Sequence, residues 1–112
     1  MYNQNMTREK LDEILAKLHA GLAEILGDRL DSIYLYGSQA RGDARSDSDI
    51  DVLVVLRNEF DYFDVLTETS YLASDLSLQT DTVISCVFTT KADFLHRRTP
   101  LLINVRREGI EV

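Results

Sequence analysis

The chain has 112 residues, of which 12 are Lys or Arg and 19 are Asp or Glu, so its net charge is −7. Its length and its hydrophobic content of 45% predict one soluble domain over residues 1–112. The acidic balance argues against direct nucleic-acid binding, which requires clustered Lys and Arg. Its apolar runs are far shorter than the ~18 residues of a membrane helix, and its N-terminus does not resemble a signal peptide. We therefore expect a cytoplasmic protein without a membrane span.

The first predicted elements are a long helix and a short strand. Over residues 7–26, apolar side chains recur at helical spacing, Thr7 is a suitable N-cap, and Gly27 marks the C-terminal end. Residues 32–36 are aromatic and β-branched, which is typical of a strand, and they run directly into Gly37. The sequence therefore predicts that this strand enters a tight turn.

The middle of the chain predicts two further strands with a helix between them. Residues 50–56 form an almost unbroken apolar run, which indicates burial on both faces of a sheet. A helix is expected to begin after Asp61 as its N-cap. The residues that share a face of this helix are Tyr62, Val65, Leu66, Thr69, Leu72, Ala73 and Leu76. Residues 82–89 are again β-branched and aromatic, and they predict the third strand.

The end of the chain predicts two short helices and a small strand. A short helix is expected over residues 91–97. The next one has Thr99 as its N-cap, Pro100 at its first position and Gly109 just past its end. A last strand is expected at residues 110–112. Alternating helices and strands predict an α/β or α+β fold in which helices pack on a sheet.

Residues 37–51, between the first two predicted strands, carry the candidate chemistry. A strand that ends in Gly37-Ser38 and turns into a short helix presents backbone N–H groups to an anionic phosphate. Gly37 allows a close approach of the backbone, and the Ser38 hydroxyl can donate to a phosphate oxygen. Arg41 and Arg45 can add positive charge there, or can pair with local carboxylates instead.

Asp49 and Asp51 form the second part of the candidate site. They lie two residues apart at the start of a strand, so both side chains leave the same face. Two such carboxylates repel each other, and Mg²⁺ relieves this while it takes its other oxygens from water and nucleotide phosphates. The alternative is a solvated acidic loop, which the Gly-Ser pair at a fixed distance argues against. Asp47 has the same strand phase but falls in the predicted loop.

The order Gly-Ser, ten residues, Asp-x-Asp resembles the minimal nucleotidyltransferase domains of the DNA polymerase β superfamily. The similarity extends to residues 40–42, 48–54 and 99–110. It implies a mixed β-sheet with flanking helices, ATP with Mg²⁺, and transfer of a nucleoside monophosphate with release of pyrophosphate. The family also uses a third carboxylate on a later strand, and the matching residue here is Asp81, as base or metal ligand. The alternative for Asp81 is a strand-edge or turn carboxylate, and Asp47 is the rival for its role.

The resemblance also implies a partner protein. Minimal nucleotidyltransferases of this kind occur as antitoxins beside helical HEPN ribonuclease toxins, and some inactivate the toxin by adenylylating a tyrosine. The leading hypothesis is therefore AMP transfer from ATP to a hydroxyl of a HEPN-type toxin, in a homo- or hetero-oligomer. Two alternatives stay open: an antitoxin that acts by contact alone, and a small-molecule nucleotidyltransferase of the aminoglycoside-modifying kind. The nucleotide-binding residues are expected to be Gly37, Ser38 and Arg41, and the catalytic and metal-binding ones Asp49, Asp51 and Asp81.

Overall fold

The computed structural model describes residues 7–45 and 48–112, so Asp47 lies outside the described residues. Helices and strands alternate along the chain. In order, the elements are α1 (Arg8–Leu26), a 3-10 turn (Gly27–Arg29), β1 (Leu30–Tyr36), α2 (Ser38–Arg41), β2 (Ile50–Leu56), α3 (Tyr62–Thr80), β3 (Ile84–Thr90), α4 (Lys91–His96), α5 (Pro100–Glu108) and β4 (Ile110–Glu111). Among the described residues, no helix combines the length and apolarity needed to cross a membrane.

Side-chain caps fix where four of the helices begin. The Thr7 hydroxyl accepts from the Lys10 backbone N–H, and the Asp61 carboxylate accepts from that of Asp64, each at 3.0 Å. Thr90 and Thr99 cap α4 and α5 in the same way. Each cap satisfies a backbone donor that the first helical turn leaves unpaired. The predicted caps at Thr7, Asp61 and Thr99 are therefore confirmed.

The strands form one mixed sheet with the order β3-β2-β1-β4. β1 pairs antiparallel with β2, and Tyr36 lies opposite Asp51. β2 pairs parallel with β3, and α3 provides the crossover that a parallel pair requires. β4 is a two-residue strand antiparallel to β1. The predicted fold class, a mixed sheet with flanking helices, is confirmed.

Both faces of β2 are covered, as its apolar sequence predicts. One core cluster joins alternate β2 residues such as Val52 and Val54 to the buried residues of α1 and α3. A second cluster joins Leu53 and Val55 to α4 and α5. Asp51 has the same strand phase as Leu53, so its side chain leaves the sheet on the α4–α5 side.

The structure corrects some predicted boundaries. β3 begins at Ile84 rather than at residue 82, because α3 continues through Thr80 and ends on Asp81. The Ser77 and Thr80 hydroxyls bond to carbonyls one turn earlier, at 2.7 Å each, so these polar side chains are satisfied inside the helix. Of the predicted α3 face, Tyr62 and Leu66 are exposed, whereas Val65, Thr69 and Leu76 are buried.

Candidate active site

The bend after β1 is built by two glycines on either side of a four-residue helix. Gly37 has φ 76° and ψ −156°, and its carbonyl accepts from the N–H groups of Ala40 and Arg41 at 3.1 Å. Gly42 closes the helix in the left-handed conformation, at φ 83°. Both conformations favour glycine. Ser38 therefore lies at the first turn of α2, where the sequence predicted a phosphate-facing position. Beside it, the buried Gln39 Nε2 lacks a hydrogen-bond partner among the described residues.

The backbone of Gly37 is in contact with the Asp51 carboxylate. A Cβ atom placed on Gly37 would lie 2.6 Å from Asp51 Oδ2. This proximity follows from the β1–β2 register, which sets Tyr36 opposite Asp51. A glycine at position 37 therefore leaves room for the carboxylate, and the bend and the acidic strand meet at one point.

Asp49 and Asp51 share an electrostatic environment. Burial raises the pKa of the Asp51 carboxyl, and the nearby negative charge of Asp49 raises it further. Asp49 is exposed, just before β2. The hydroxyl of Ser48, the residue before it, accepts from the Arg45 backbone N–H at 2.8 Å. The two carboxylates thus concentrate negative charge beside the Gly37 bend.

This electrostatic conflict predicts that Asp51→Asn raises the free energy of unfolding in metal-free buffer at pH 7. Because the Asp51 pKa is raised in the folded state, the wild-type carboxyl begins to destabilise the fold as the pH rises through its ordinary value of 3.8, and the loss is complete once the pH exceeds the raised pKa. The gain should stay below about 1 kcal/mol, since the site is partly solvated. Urea unfolding at pH 3, where the carboxyl is mostly protonated in both states, and at pH 7 measures it. A stability difference that shrinks as the pH rises would contradict the prediction.

Tyr36 is a neighbour of Asp51 that the sequence analysis did not place at the candidate site. It does pack in the cluster on the α4–α5 side. It also lies beside the candidate site, because the β1–β2 register sets it opposite Asp51. Burial, and then the charge of Asp51, raise the pKa of its phenol. The β1–β2 register is the signal that would have revealed this placement, and the sequence alone does not provide it.

Arg41 is held by carboxylates in this structure. Its guanidinium lies 3.2 Å from Asp43 Oδ2 and 3.7 Å from Glu108 Oε1, so it links α2 to the end of α5. A hydrogen bond and the charge of Asp43 raise the pKa of Arg41. Of the two roles that the sequence left open for this side chain, pairing with local carboxylates is the one observed.

Asp81 lies on a helix end and not on a strand. It caps α3 in the left-handed conformation, at φ 53°, and is exposed. It is at the same end of the sheet as Asp49, because the Ile50 N–H donates to the Val83 carbonyl at 2.9 Å. The described residues nevertheless contain no group of three His, Cys, Asp or Glu side chains placed to hold a metal ion. The structure thus brings Asp49 and Asp51 together, and it does not group Asp81 with them.

Known proteins match most of the chain, including the segments that carry the candidate site. Residues 10–108 match the family model described as nucleotidyltransferase domain. A relative from Methanocaldococcus jannaschii, provisionally named a protein adenylyltransferase, is 33% identical over 100 residues, which cover 89% of this chain and 96% of the relative. A chain in a toxin–antitoxin crystal structure with AMP-PNP is also similar, at 25% identity and a TM-score of 0.63. The match covers 89% of this chain and 70% of that chain. The structure of a provisionally named minimal nucleotidyltransferase matches at 25% identity and a TM-score of 0.59. This match covers 91% of this chain and 95% of that chain.

Proposed function

The chain belongs to the nucleotidyltransferase domain family, and from this premise we propose that it transfers AMP from ATP to a hydroxyl of a partner protein. This membership confirms the family that the sequence resembles. The observation that carries the proposal is the contact between the Gly37 backbone and the Asp51 carboxylate, with Asp49 beside it. A phosphate-facing bend and a pair of carboxylates at one point are what nucleotidyl transfer requires.

Asp49 and Asp51 are the residues that would hold Mg²⁺. Their oxygens are the hard ligands that Mg²⁺ prefers, and their mutual repulsion, which contributes to the raised pKa of Asp51, is relieved by a cation. Two carboxylates suffice, because Mg²⁺ completes its coordination with waters and substrate phosphates. When bound, the ion would supply neutralisation of the charge on the triphosphate.

The protein's own residues hold the nucleotide and receive a proton. Gly37 permits close approach of the triphosphate, and the Ser38 hydroxyl donates to a phosphate oxygen. Arg41 can turn to the phosphates, since its ion pairs with Asp43 and Glu108 are solvent-accessible and cost little to break. The acceptor oxygen bonds to the α-phosphorus, the bond to pyrophosphate breaks, and a carboxylate accepts the hydroxyl proton. Asp81 is the candidate for that base or for a third metal ligand.

The surroundings of the site favour a protein acceptor over a small molecule. Two cavities, of about 490 and 320 Å³, are lined by other parts of the chain, without Gly37, Asp49 or Asp51. Since neither cavity includes these residues, we propose that the acceptor approaches the site across the open surface. A similar structure is a toxin–antitoxin complex with AMP-PNP. We accordingly assign this chain the role of antitoxin, with a tyrosine of a HEPN-type toxin as acceptor.

A second candidate is an antitoxin that neutralises its toxin by contact alone. One observation favours it: among the described residues, Asp81 does not join Asp49 and Asp51 in a group of three. In that case the fold would be retained for binding, and the toxin would be inactivated without covalent change.

The deciding experiment is AMP transfer to the product of the neighbouring reading frame. We expect that protein, incubated with this chain, ATP and Mg²⁺, to gain the mass of one or more AMP units on tyrosine, and EDTA to prevent the gain. Intact-mass and peptide mass spectrometry measure it, with Asp49→Asn as the inactive comparison. If the partner is neutralised without a mass change, and equally well by Asp49→Asn, neutralisation by contact replaces the transferase proposal.

A further inference from the structure

The outward face of α3 exposes large apolar side chains to solvent. Phe63 is 74% exposed, Tyr71 80% and Leu78 84%, and Leu66 is 44% exposed. The opposite face of the helix is already buried against the core through Val65 and Leu76, among others. Single exposed apolar residues are ordinary, but several aligned on one helix mark an interaction surface.

These residues form a continuous uncharged stripe. At 3.6 residues per turn they fall within an arc of about 140°, and the stripe is about 22 Å long from Phe63 to Leu78. Only small hydroxyl residues lie between them in that arc. We call this surface the α3 stripe, formed by Phe63, Leu66, Thr67, Ser70, Tyr71, Ser74, Ser77 and Leu78. Phe and Tyr are enriched at protein–protein interfaces, and Tyr is among the residues that dominate their binding energy.

The α3 stripe leads to the end of the sheet that carries the candidate active site. Leu78 lies near the C-terminal end of α3, and the chain then passes through Val83, which is 58% exposed. The Val83 carbonyl accepts from the N–H of Ile50, the residue after Asp49. The C-terminal end of the α3 stripe therefore lies at the same end of the sheet as Asp49.

The charge along the helix indicates the chemistry of the partner. α3 contains no Lys or Arg, and Asp64, Glu68 and Asp75 lie along one side of the stripe. Arg29 reaches one of them, Glu68, at 3.1 Å from a neighbouring element. This acidic margin repels RNA and anionic membranes. It complements an apolar helix that has Lys and Arg at its edges.

We propose that the α3 stripe is the surface on which the AMP-accepting protein docks, through an amphipathic helix with an apolar face and basic edges. The identity of the docked protein as acceptor rests on the proposed function; the docking itself stands on the exposure, alignment and charge of α3. The Asp49 and Asp51 side chains leave the sheet on the opposite, α4–α5 side. The docked helix therefore holds the acceptor protein at the end of the sheet, and its accepting residue reaches the carboxylates around that end.

The test separates docking from transfer. Binding of the purified product of the neighbouring reading frame is measured by calorimetry with Asp49→Asn, so that no AMP transfer intervenes. In this background we expect Tyr71→Lys and Leu78→Lys each to raise the Kd at least about tenfold, because each places a positive charge in an apolar contact beside basic residues. Leu95→Lys is the matched control, since Leu95 is a 52% exposed leucine on α4; it should leave the Kd unchanged.

The remaining outcomes are also decisive. Equal affinity of the stripe variants and Leu95→Lys, or no binding of the partner at all, overturns the docking surface. This chain could also form a dimer that Tyr71→Lys dissociates while partner binding stays unchanged. That result assigns the α3 stripe to contact with a second copy and overturns the proposed docking of the acceptor. If the active chain transfers no AMP but the stripe variants still lose binding, the docking surface stands and the transferase proposal fails.

Discussion

Asp49→Asn and Asp51→Asn are each expected to reduce AMP transfer at least about 100-fold, with the fold intact. Each replaces a negative oxygen of the proposed Mg²⁺ site by a neutral amide, and loss of outer-shell support alone costs metal sites about 10–100-fold. The assay is the initial rate of AMP incorporation at saturating ATP and Mg²⁺. Circular dichroism and thermal unfolding check that the variants remain folded.

Asp28→Asn is the matched control for these two variants. Asp28 is an exposed carboxylate before β1, at the opposite end of the sheet from Asp49. Its substitution should leave the transfer rate unchanged. Transfer by Asp49→Asn at the rate of Asp28→Asn would remove Asp49 from the proposed site.

The same assay decides the role of Asp81. If Asp81 is the base or a third ligand, Asp81→Asn should lower the rate by a factor comparable to that of Asp49→Asn. If it serves only as the left-handed cap of α3, Asn should replace it at little cost, because Asn tolerates that conformation. A rate close to that of wild type therefore shifts the base to another group.

Gly37→Ala is expected to lower AMP transfer about 100-fold and to destabilise the fold. At φ 76° and ψ −156° the backbone is strained for any residue with a Cβ atom, by about 1–3 kcal/mol. The new Cβ atom would also lie 2.6 Å from Asp51 Oδ2, so the carboxylate must move. A displacement of about 1 Å at a reacting site costs about 100-fold in rate.

Gly27→Ala separates the backbone strain from the displacement of Asp51. Gly27 has φ 57° and ψ −131°, and a Cβ atom there would meet nothing within 4 Å. This variant should lose a similar amount of stability, measured by urea unfolding, and should transfer AMP at the wild-type rate. Equal losses of activity in both variants would mean that instability, and not the contact with Asp51, explains the effect.

Local sequence determined most of the secondary structure, because helix starts and buried strands depend on nearby residues. Thr7, Asp61 and Thr99 cap their helices as predicted, since a side-chain oxygen and a backbone N–H a few residues away suffice. The strand over residues 50–56 was also predicted at its observed bounds, because its apolar run has no other stable environment than a covered sheet.

The sequence by itself also predicted that the Gly-Ser bend and the two acidic residues lie together, because a Gly-Ser pair and Asp-x-Asp follow each other at a fixed distance along the chain. The tertiary structure decided how they meet. The β1–β2 register sets Asp51 against Gly37, and the continuation of α3 through Thr80 makes Asp81 the end of a helix, whereas the sequence predicted it directly before a strand. The tertiary structure also left one face of α3 uncovered. Register, helix length and exposure depend on packing between distant segments, which no local pattern of residues contains.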